Sequence, residues 1–283
     1  HSFKFVISSL YKIIAMEKLK VLIPTDFSVQ AEFAYLMVKN MQGKIDMDIH
    51  FLHVLDVPDT VTLNEKGHIE TCGEIDTAYV QSKKEIAERN LRNLKHEYGS
   101  HIHTHLLLGK APEKIIYYTN HHKFDLIVMG TKGAWGIKEK LSGTNTQVVA
   151  RQSRIPVLSL MCDRSELNID NILLVHDFNT AEKEDMKLLD ILVRAFNPKI
   201  HFLHITDSET DNLWILSQMD TFAKVNHLTN YEKHLLADTD VVNGVTHFNQ
   251  MQEMVIVYIG THGRKGVQRV INPSATEKLI NHL

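Results

Sequence analysis

Cysteine is nearly missing from this 283-residue chain, which carries only Cys72 and Cys162. No CxxC and no Cys/His ligand spacing surrounds either residue, which excludes zinc-finger and thioredoxin-type readings. The simplest reading is a reduced, cytosolic (cytoplasmic) chain, with one Cys72–Cys162 disulfide as the alternative. An excess of one charge is lacking as well. Lys and Arg total 31 against 34 Asp and Glu, the formal net charge is -3, and the basic residues are scattered. That leaves no electrostatic footprint for nucleic acid or an anionic membrane, and neither is expected as a partner. Long hydrophobic runs are also missing. The stretch from Phe3 to Ala15 is interrupted by Lys4 and Lys12, is too short to span a bilayer and has no signal-type cleavage site. Residues 1–15 read as a leader or an over-extended start, with Met16 as the natural first residue, because Glu17-Lys18-Leu19-Lys20 leads straight into an apolar run.

What the chain does contain is enough apolar side chain for two cores: 43% of its residues are hydrophobic and 23% charged. An internal repeat organises it. Ile49-His50-Phe51-Leu52-His53-Val54-Leu55-Asp56 returns as Ile200-His201-Phe202-Leu203-His204-Ile205-Thr206-Asp207, a shift of 151. Val21-Leu22-Ile23-Pro24-Thr25-Asp26-Phe27-Ser28 returns as Ile172-Leu173-Leu174-Val175-His176-Asp177-Phe178-Asn179 at the same shift. Further on, Ile127-Val128-Met129-Gly130-Thr131-Lys132-Gly133 returns as Val257-Tyr258-Ile259-Gly260-Thr261-His262-Gly263, now at a shift of 130. The second copy is therefore 21 residues shorter, the loss falling between its second and fourth strands. The expected domains are residues 16–162 and 163–283.

Within the first copy, apolar runs at about 20–25, 49–55, 102–108, 124–129 and 155–160 read as strands covered on both faces. Helical stretches fall between them at roughly 28–42, 75–97, 112–121 and 142–152. The longest places Ala78, Val80, Ile86, Ala87 and Leu91 at near-helical spacing, and Pro112 suits the first turn of the next. Strands alternating with helices imply right-handed βαβ units and a doubly wound, five-stranded parallel sheet of Rossmann-like type in each domain. Ligands on such sheets bind at the carboxyl ends of the strands, where the winding reverses.

The segment with chemistry in it is Gly130-Thr131-Lys132-Gly133, followed nine residues later by Gly143-Thr144-Asn145-Thr146. Gly130 and Gly133 follow a strand directly, where a missing side chain lets backbone come close to a ligand. Gly143 and Thr144 precede the apolar run Val148-Val149-Ala150 and so open a helix whose first N–H groups have no intrahelical partner, which suits an anion. The pattern Gly-x2-Gly-x9-Gly-(Ser/Thr), joined to a first strand ending Pro24-Thr25-Asp26-Phe27-Ser28, to His53-Val54 and to Ile155-Pro156-Val157-Leu158, resembles the ATP-binding branch of the universal stress proteins. The resemblance covers nearly all of 17–162 and, more weakly, 169–283. It implies an adenine nucleotide alpha hydrolase-like fold and ATP, with Mg as its counter-ion, as the cofactor. It also implies that Pro24, Thr25 and Asp26 lie by the ribose and adenine, that Val54 offers backbone to the adenine, and that Met129 and Gly130 line the sugar. Lys132, Gly133, Gly143, Thr144, Asn145 and Thr146 would then surround the phosphates. Lys132 departs from the His or Arg common in that family but keeps a cationic head.

The second copy retains Asp177, Gly260, Gly263 and Ser274, but Pro273 stands at the position of Gly143 and Val175-His176 at that of Pro24-Thr25. Proline has no N–H to offer a phosphate, so weak or absent ATP binding is expected there. Bland readings stand beside these. Asp26 also suits a helix N-cap, Trp135 reads as a partly buried anchor, and His53 and His204, recurring at strand ends, read as structural or pocket-wall residues. His101, His103 and His105 alternate onto one strand face and His121-His122 form a pair. No Cys or carboxylate completes a ligand set at recognisable spacing, so these are read as solvated or hydrogen-bonded histidines and no metal site is assigned.

For function, no Walker A lysine loop, HIGH or SGGxDS string, Ser-His-Asp set or Cys-His set is present, and no catalytic residue is assigned. The expectation is an ATP-binding stress-response protein acting as a nucleotide-dependent sensor or regulator of an unknown protein partner. A slow ATPase or phosphotransferase, and a nucleotide-free scaffold, are the alternatives. At the late shift the sequence reaches only the equivalent of Ser153, so the second copy is expected to lack a fifth strand. Residues 155–160, at an unpaired edge, would then pair with another molecule, giving a homodimer, or across an intrachain pseudo-dimer. The alternative is a C-terminal strand that is disordered or truncated. Light scattering should return about twice the 32.4 kDa chain mass for the homodimer; a monomer with 155–160 exposed as a free edge rules the edge pairing out.

Overall fold

The computed structural model describes residues 18–130, 145–160, 163, 166, 168–178, 186–206, 212–252, 254 and 256–259. In chain order the elements are β1 (Leu19–Pro24), α1 (Val29–Met41), β2 (Met47–Leu55), β3 (Val61–Leu63), β4 (Ile69–Thr71), α2 (Thr77–Tyr98), β5 (His103–Leu108), α3 (Ala111–His121), β6 (Leu126–Gly130), α4 (Asn145–Gln152) and β7 (Val157–Leu160). Then follow β8 (Asn171–Val175), α5 (Lys187–Phe196), β9 (Lys199–Thr206), α6 (Asn212–Val225), β10 (Tyr231–Ala237), α7 (Val241–Met251) and β11 (Ile256–Ile259).

The apolar runs become strands because each needs apolar residues on both faces. On β1, Leu19, Val21 and Ile23 join one core cluster with α1, while Leu22 joins another with Ile115 and Tyr118 of α3 and Val149 of α4. β6 divides in the same way, Leu126 and Val128 against Ile127 and Met129. Helices α1 and α2 thus cover one face and α3 and α4 the other. The first sheet runs β5-β2-β1-β6-β7, every neighbour parallel, and the second β10-β9-β8-β11, also parallel. In each, the first two strands and the third lie to one side of the reversal and the fourth to the other. The winding therefore reverses between β1 and β6, and between β8 and β11. Four strands make up the second sheet among the described residues.

One buried apolar cluster takes in the α1–α2 face of the first sheet and the α5–α6 face of the second, with Leu160 and Ile169 among its members. Lys187 Nζ reaches Asp125 Oδ1 at 2.8 Å, and the Lys44 ammonium lies 4.8 Å from the centre of the Phe196 ring. The halves are therefore joined by core packing as well as by chain.

Sequence expectations and structure differ on α2 and at His101, and the structure narrows down where the second copy is shortened. On α2 only Val80, Ala87 and Leu91 are buried, and Ile86 is 41% exposed, because the apolar stripe of this helix is narrow. The shortening of the second copy lies mostly in one connection: β2 and α2 are separated by a segment holding the antiparallel β3–β4 hairpin, whereas β9 leads into α6 within five residues. His101 precedes β5 instead of lying on it. The hairpin was not legible, since Val61-Thr62-Leu63 and Ile69-Glu70-Thr71 bury little beyond Val61.

A polar pair recurs inside the two sheets. His50 Nδ1 lies 2.9 Å from His105 Nε2 on β2 and β5, and His201 Nδ1 lies 3.0 Å from His234 Nε2 on β9 and β10. Burial holds both His201 and His234 below the ordinary histidine range, with the neighbouring His234 charge adding to the effect on His201 and Glu232 opposing it on both. A depressed folded pKa means that the unfolded chain takes up protons first as pH falls. Stability tied to this pair is therefore complete above about 6.5, the unfolded value, and is lost as pH drops below it. Urea midpoints measured from pH 7.5 to 5 should fall in the wild type and fall less in His234→Gln; parallel curves would show that this pair does not titrate on unfolding.

Candidate functional site

The carboxyl ends of β1 and β6 meet at the reversal of the first sheet, and what holds them is local. Thr25, 8% exposed, sits one residue past β1; its N–H donates to the Leu52 carbonyl of β2 at 2.9 Å, and its hydroxyl accepts from Phe27 N–H at 3.0 Å. His53 Nδ1 donates to the Thr25 carbonyl at 2.7 Å, and its ring packs against that of Phe27 at 4.5 Å. These contacts hold Phe27 in the left-handed region, φ 64°, an uncommon conformation for a residue with a side chain. Asp26 is exposed, with Oδ1 accepting from Ser28 N–H at 3.0 Å. Ser28 is the N-cap of α1 and accepts from Ala31 N–H at 3.4 Å. Asp26 thus stands before the cap instead of being it.

Gly130 ends β6 against the first turn of α1. A Cβ built on it would collide with the Gln30 carbonyl and with Ala31 N. The close approach that a glycine permits is here taken up by the protein's own helix, not by ligand alone. The Thr146 hydroxyl donates to the Gly130 carbonyl at 3.3 Å, and Thr146 is 3% exposed. Asn145 is exposed at the first position of α4. Pro24 closes β1 and is half-buried, Val54 lies half-buried beside Leu107 in the β2–β5 pairing, and Met129 is buried in the α3–α4 core. Thr25 is thereby tied to His53, the neighbour of Val54, and Gly130 to Thr146 and to the first turn of α1. Lys132, Gly133, Gly143 and Thr144 lie outside the described residues, as do Trp135, Cys162, Gly260, Gly263, Pro273 and Ser274.

The second half repeats the turn with different chemistry. His176 replaces Thr25, and its Nδ1 accepts from Phe178 N–H at 2.8 Å; Phe178 has φ 51°. His204 Nδ1 donates to the His176 carbonyl at 3.3 Å, as His53 does to Thr25. His176 is 4% exposed and Phe178 is fully buried, its ring edge-on to Phe222 at 5.3 Å and tilted against Phe202 at 5.4 Å. Asp177 Oδ1 lies 3.6 Å from His176 Nδ1.

Sequence reasoning missed the constraint at Phe27 and Phe178. The signal was there: a side chain with an acceptor, Thr25 or His176, two residues before a phenylalanine, at the same place in both copies. It also missed Gln30, whose backbone meets Gly130, because close approach by a helix leaves no mark on the approaching residue.

The architecture is a doubly wound α/β fold with its switch point where phosphate-binding loops sit in such folds. The universal stress protein family model matches residues 19–160, half of the chain, and the chain belongs to that family. Universal stress protein MJ0531 of Methanocaldococcus jannaschii is 29% identical over 147 residues, 52% of this chain and 84% of its own length. Universal stress protein MJ0577 of the same organism is 29% identical over 149 residues, 49% of this chain and 92% of its own. A crystal structure of a universal stress protein from Archaeoglobus fulgidus superposes with a TM-score of 0.68 over 93% of each chain at 20% identity, a likeness in fold that includes the second half.

Gly130→Ala should cost about 3 kcal/mol or more, at or above the usual overpacking range, because the obstacle is helix backbone. Thr25→Val should cost about 1 kcal/mol by leaving the Phe27 N–H without its acceptor. Urea denaturation measures both; a neutral Gly130→Ala would mean that α1 does not pack as described.

Proposed function

We propose that this chain is an ATP-binding stress-response protein, a nucleotide-dependent sensor or regulator, whose site is the switch point between β1 and β6. The observation that supports it most is the coincidence of that switch point with the glycine-rich segment starting at Gly130 and with the N-terminus of α4. Parallel α/β sheets bind ligands at this place, and a helix N-terminus turns its first N–H groups toward an anion.

The residues fit the nucleotide selectively. In this reading Asp26, whose carboxylate is exposed, binds a ribose hydroxyl, Pro24, Val54 and the backbone of Met129 line the base and sugar, and Asn145 with the first N–H groups of α4 meets the phosphates. The Thr25 and Thr146 hydroxyls are engaged in the scaffold, so those two residues contribute backbone and position. Lys132, Gly133, Gly143 and Thr144 complete the phosphate loop in this reading, with Mg offsetting charge on the triphosphate. Two domains, 16–162 and 163–283, follow from the repeat, and the second holds no ATP: His176 and Phe178 take up space at its β8 end and Pro273 replaces Gly143.

Calorimetry with Mg-ATP should therefore give one site per chain. Gly143→Pro should weaken it by about 10- to 100-fold, the worth of a hydrogen bond to a charged group, while leaving the circular dichroism spectrum unchanged. Two sites per chain, or unaltered affinity in Gly143→Pro, would falsify the assignment.

A further inference from the structure

At the opposite, amino end of the first sheet, His50 is 8% exposed, and its Nε2 is a buried nitrogen with no hydrogen-bond partner. It lies 3.1 Å from Asp48 Oδ2, without the direction of a hydrogen bond. Asp48 and His50 are alternate residues of β2 and so share a face. His103 is the register partner of His50 on β5, its ring stacked on that of His50 at 4.5 Å, and its Nε2 is 3.4 Å from Asp48 Oδ1. One ligand atom from each of the three lies within 4.8 Å of the others. Tetrahedral zinc with bonds of about 2.0–2.1 Å places its ligands a little over 3 Å apart.

We propose that Asp48, His50 and His103 form a binding site for a divalent transition cation such as Zn2+, with a fourth position left to solvent. Two imidazoles and a carboxylate are the ligand chemistry of zinc and its first-row neighbours. His105 is the outer partner: His50 Nδ1 lies 2.9 Å from His105 Nε2, and with a cation bound the proton of His50 would sit on Nδ1 and be donated to His105, leaving Nε2 as the ligand atom. β5 is the edge strand and His103 is well exposed, so a cation has a path in. The one cation close by on β1, the Lys20 ammonium, lies 4.8 Å over the Phe124 ring.

The second half shows what the same pair looks like without a cation to hold. His201 Nε2 donates to Asn171 Oδ1 at 3.0 Å and its Nδ1 faces His234, so both nitrogens are used. Asn171 stands where the first half has Lys20, and Lys199, at the position of Asp48, pairs with Glu232 at 2.7 Å. His201, Glu232 and His234 are also grouped, but an amide and an ammonium already satisfy them.

The test is Zn2+ titration of chelator-stripped, nucleotide-free protein against a chromophoric competitor, with Co2+ absorption as a second probe. The wild type should bind one equivalent. His103→Ala and Asp48→Asn should each weaken binding at least tenfold with unchanged circular dichroism, while His234→Gln leaves it intact. Absence of saturable binding, or affinity that survives His103→Ala, overturns the site; His103 is exposed at the edge, so that variant decides even if Asp48→Asn fails to fold.

Discussion

The packing of the α1 first turn onto Gly130 is the constraint on which the candidate site rests. Helix α1 must cross from the end of β1 to cover β6 and β7, and it can lie that close only where β6 ends without a side chain. The consequence is a fixed geometry at the switch point: α1 is seated, its cap Ser28 is placed, and Asp26 is left at the surface just ahead of it. Thr146 then closes the opposite side by donating to the Gly130 carbonyl. A glycine that reads in sequence as room for phosphate is first of all room for a helix, and only through that helix does it shape the place where a ligand would lie.

Much of the fold was legible because parallel strands covered on both faces write themselves as unbroken apolar runs. The runs at 20–25 and 49–55 became Leu19–Pro24 and Met47–Leu55, and the run at 155–160 became Val157–Leu160. Pro112 sits in the first turn of α3 as its fixed φ requires. What stayed hidden has a common cause, which is dependence on partners far along the chain or on backbone alone. The β3–β4 hairpin gains from neighbours on β2, β5 and α2, such as Leu55, Leu108 and Val80, more than from its own pattern. The left-handed Phe27 depends on His53, 26 residues away in sequence, as well as on its near neighbour Thr25.

The histidines show the same limit more sharply. His103 and His105 could be placed on one strand face from spacing alone, but the carboxylate beside them, Asp48, arrives from another strand through the β2–β5 register. A motif search by spacing sees ligands on one element; a parallel sheet assembles them across two. Eighteen histidines in a chain are a poor guide to chemistry until the register says which of them meet.

The two halves use one scaffold with opposite chemical settlements. Both hold a left-handed phenylalanine by a side-chain acceptor two residues before it, and both hydrogen-bond a strand-end histidine to the backbone of that turn. In the first half the acceptor is a threonine hydroxyl and the phenylalanine remains half-buried; in the second an imidazole does the work and the phenylalanine fills the core. At the amino ends, the first half leaves His50 Nε2 facing a carboxylate, while the second completes His201 with an amide. A buried polar group without a partner costs about 1–3 kcal/mol, so a fold that satisfies His201 and leaves His50 open retains that cost in one half only. The second half shows that the scaffold can satisfy such a pair from its own residues. The open valence at His50 is therefore a property of Asp48, His103 and Lys20 in their particular places, and a cation is the partner that suits a carboxylate and two imidazole nitrogens at once.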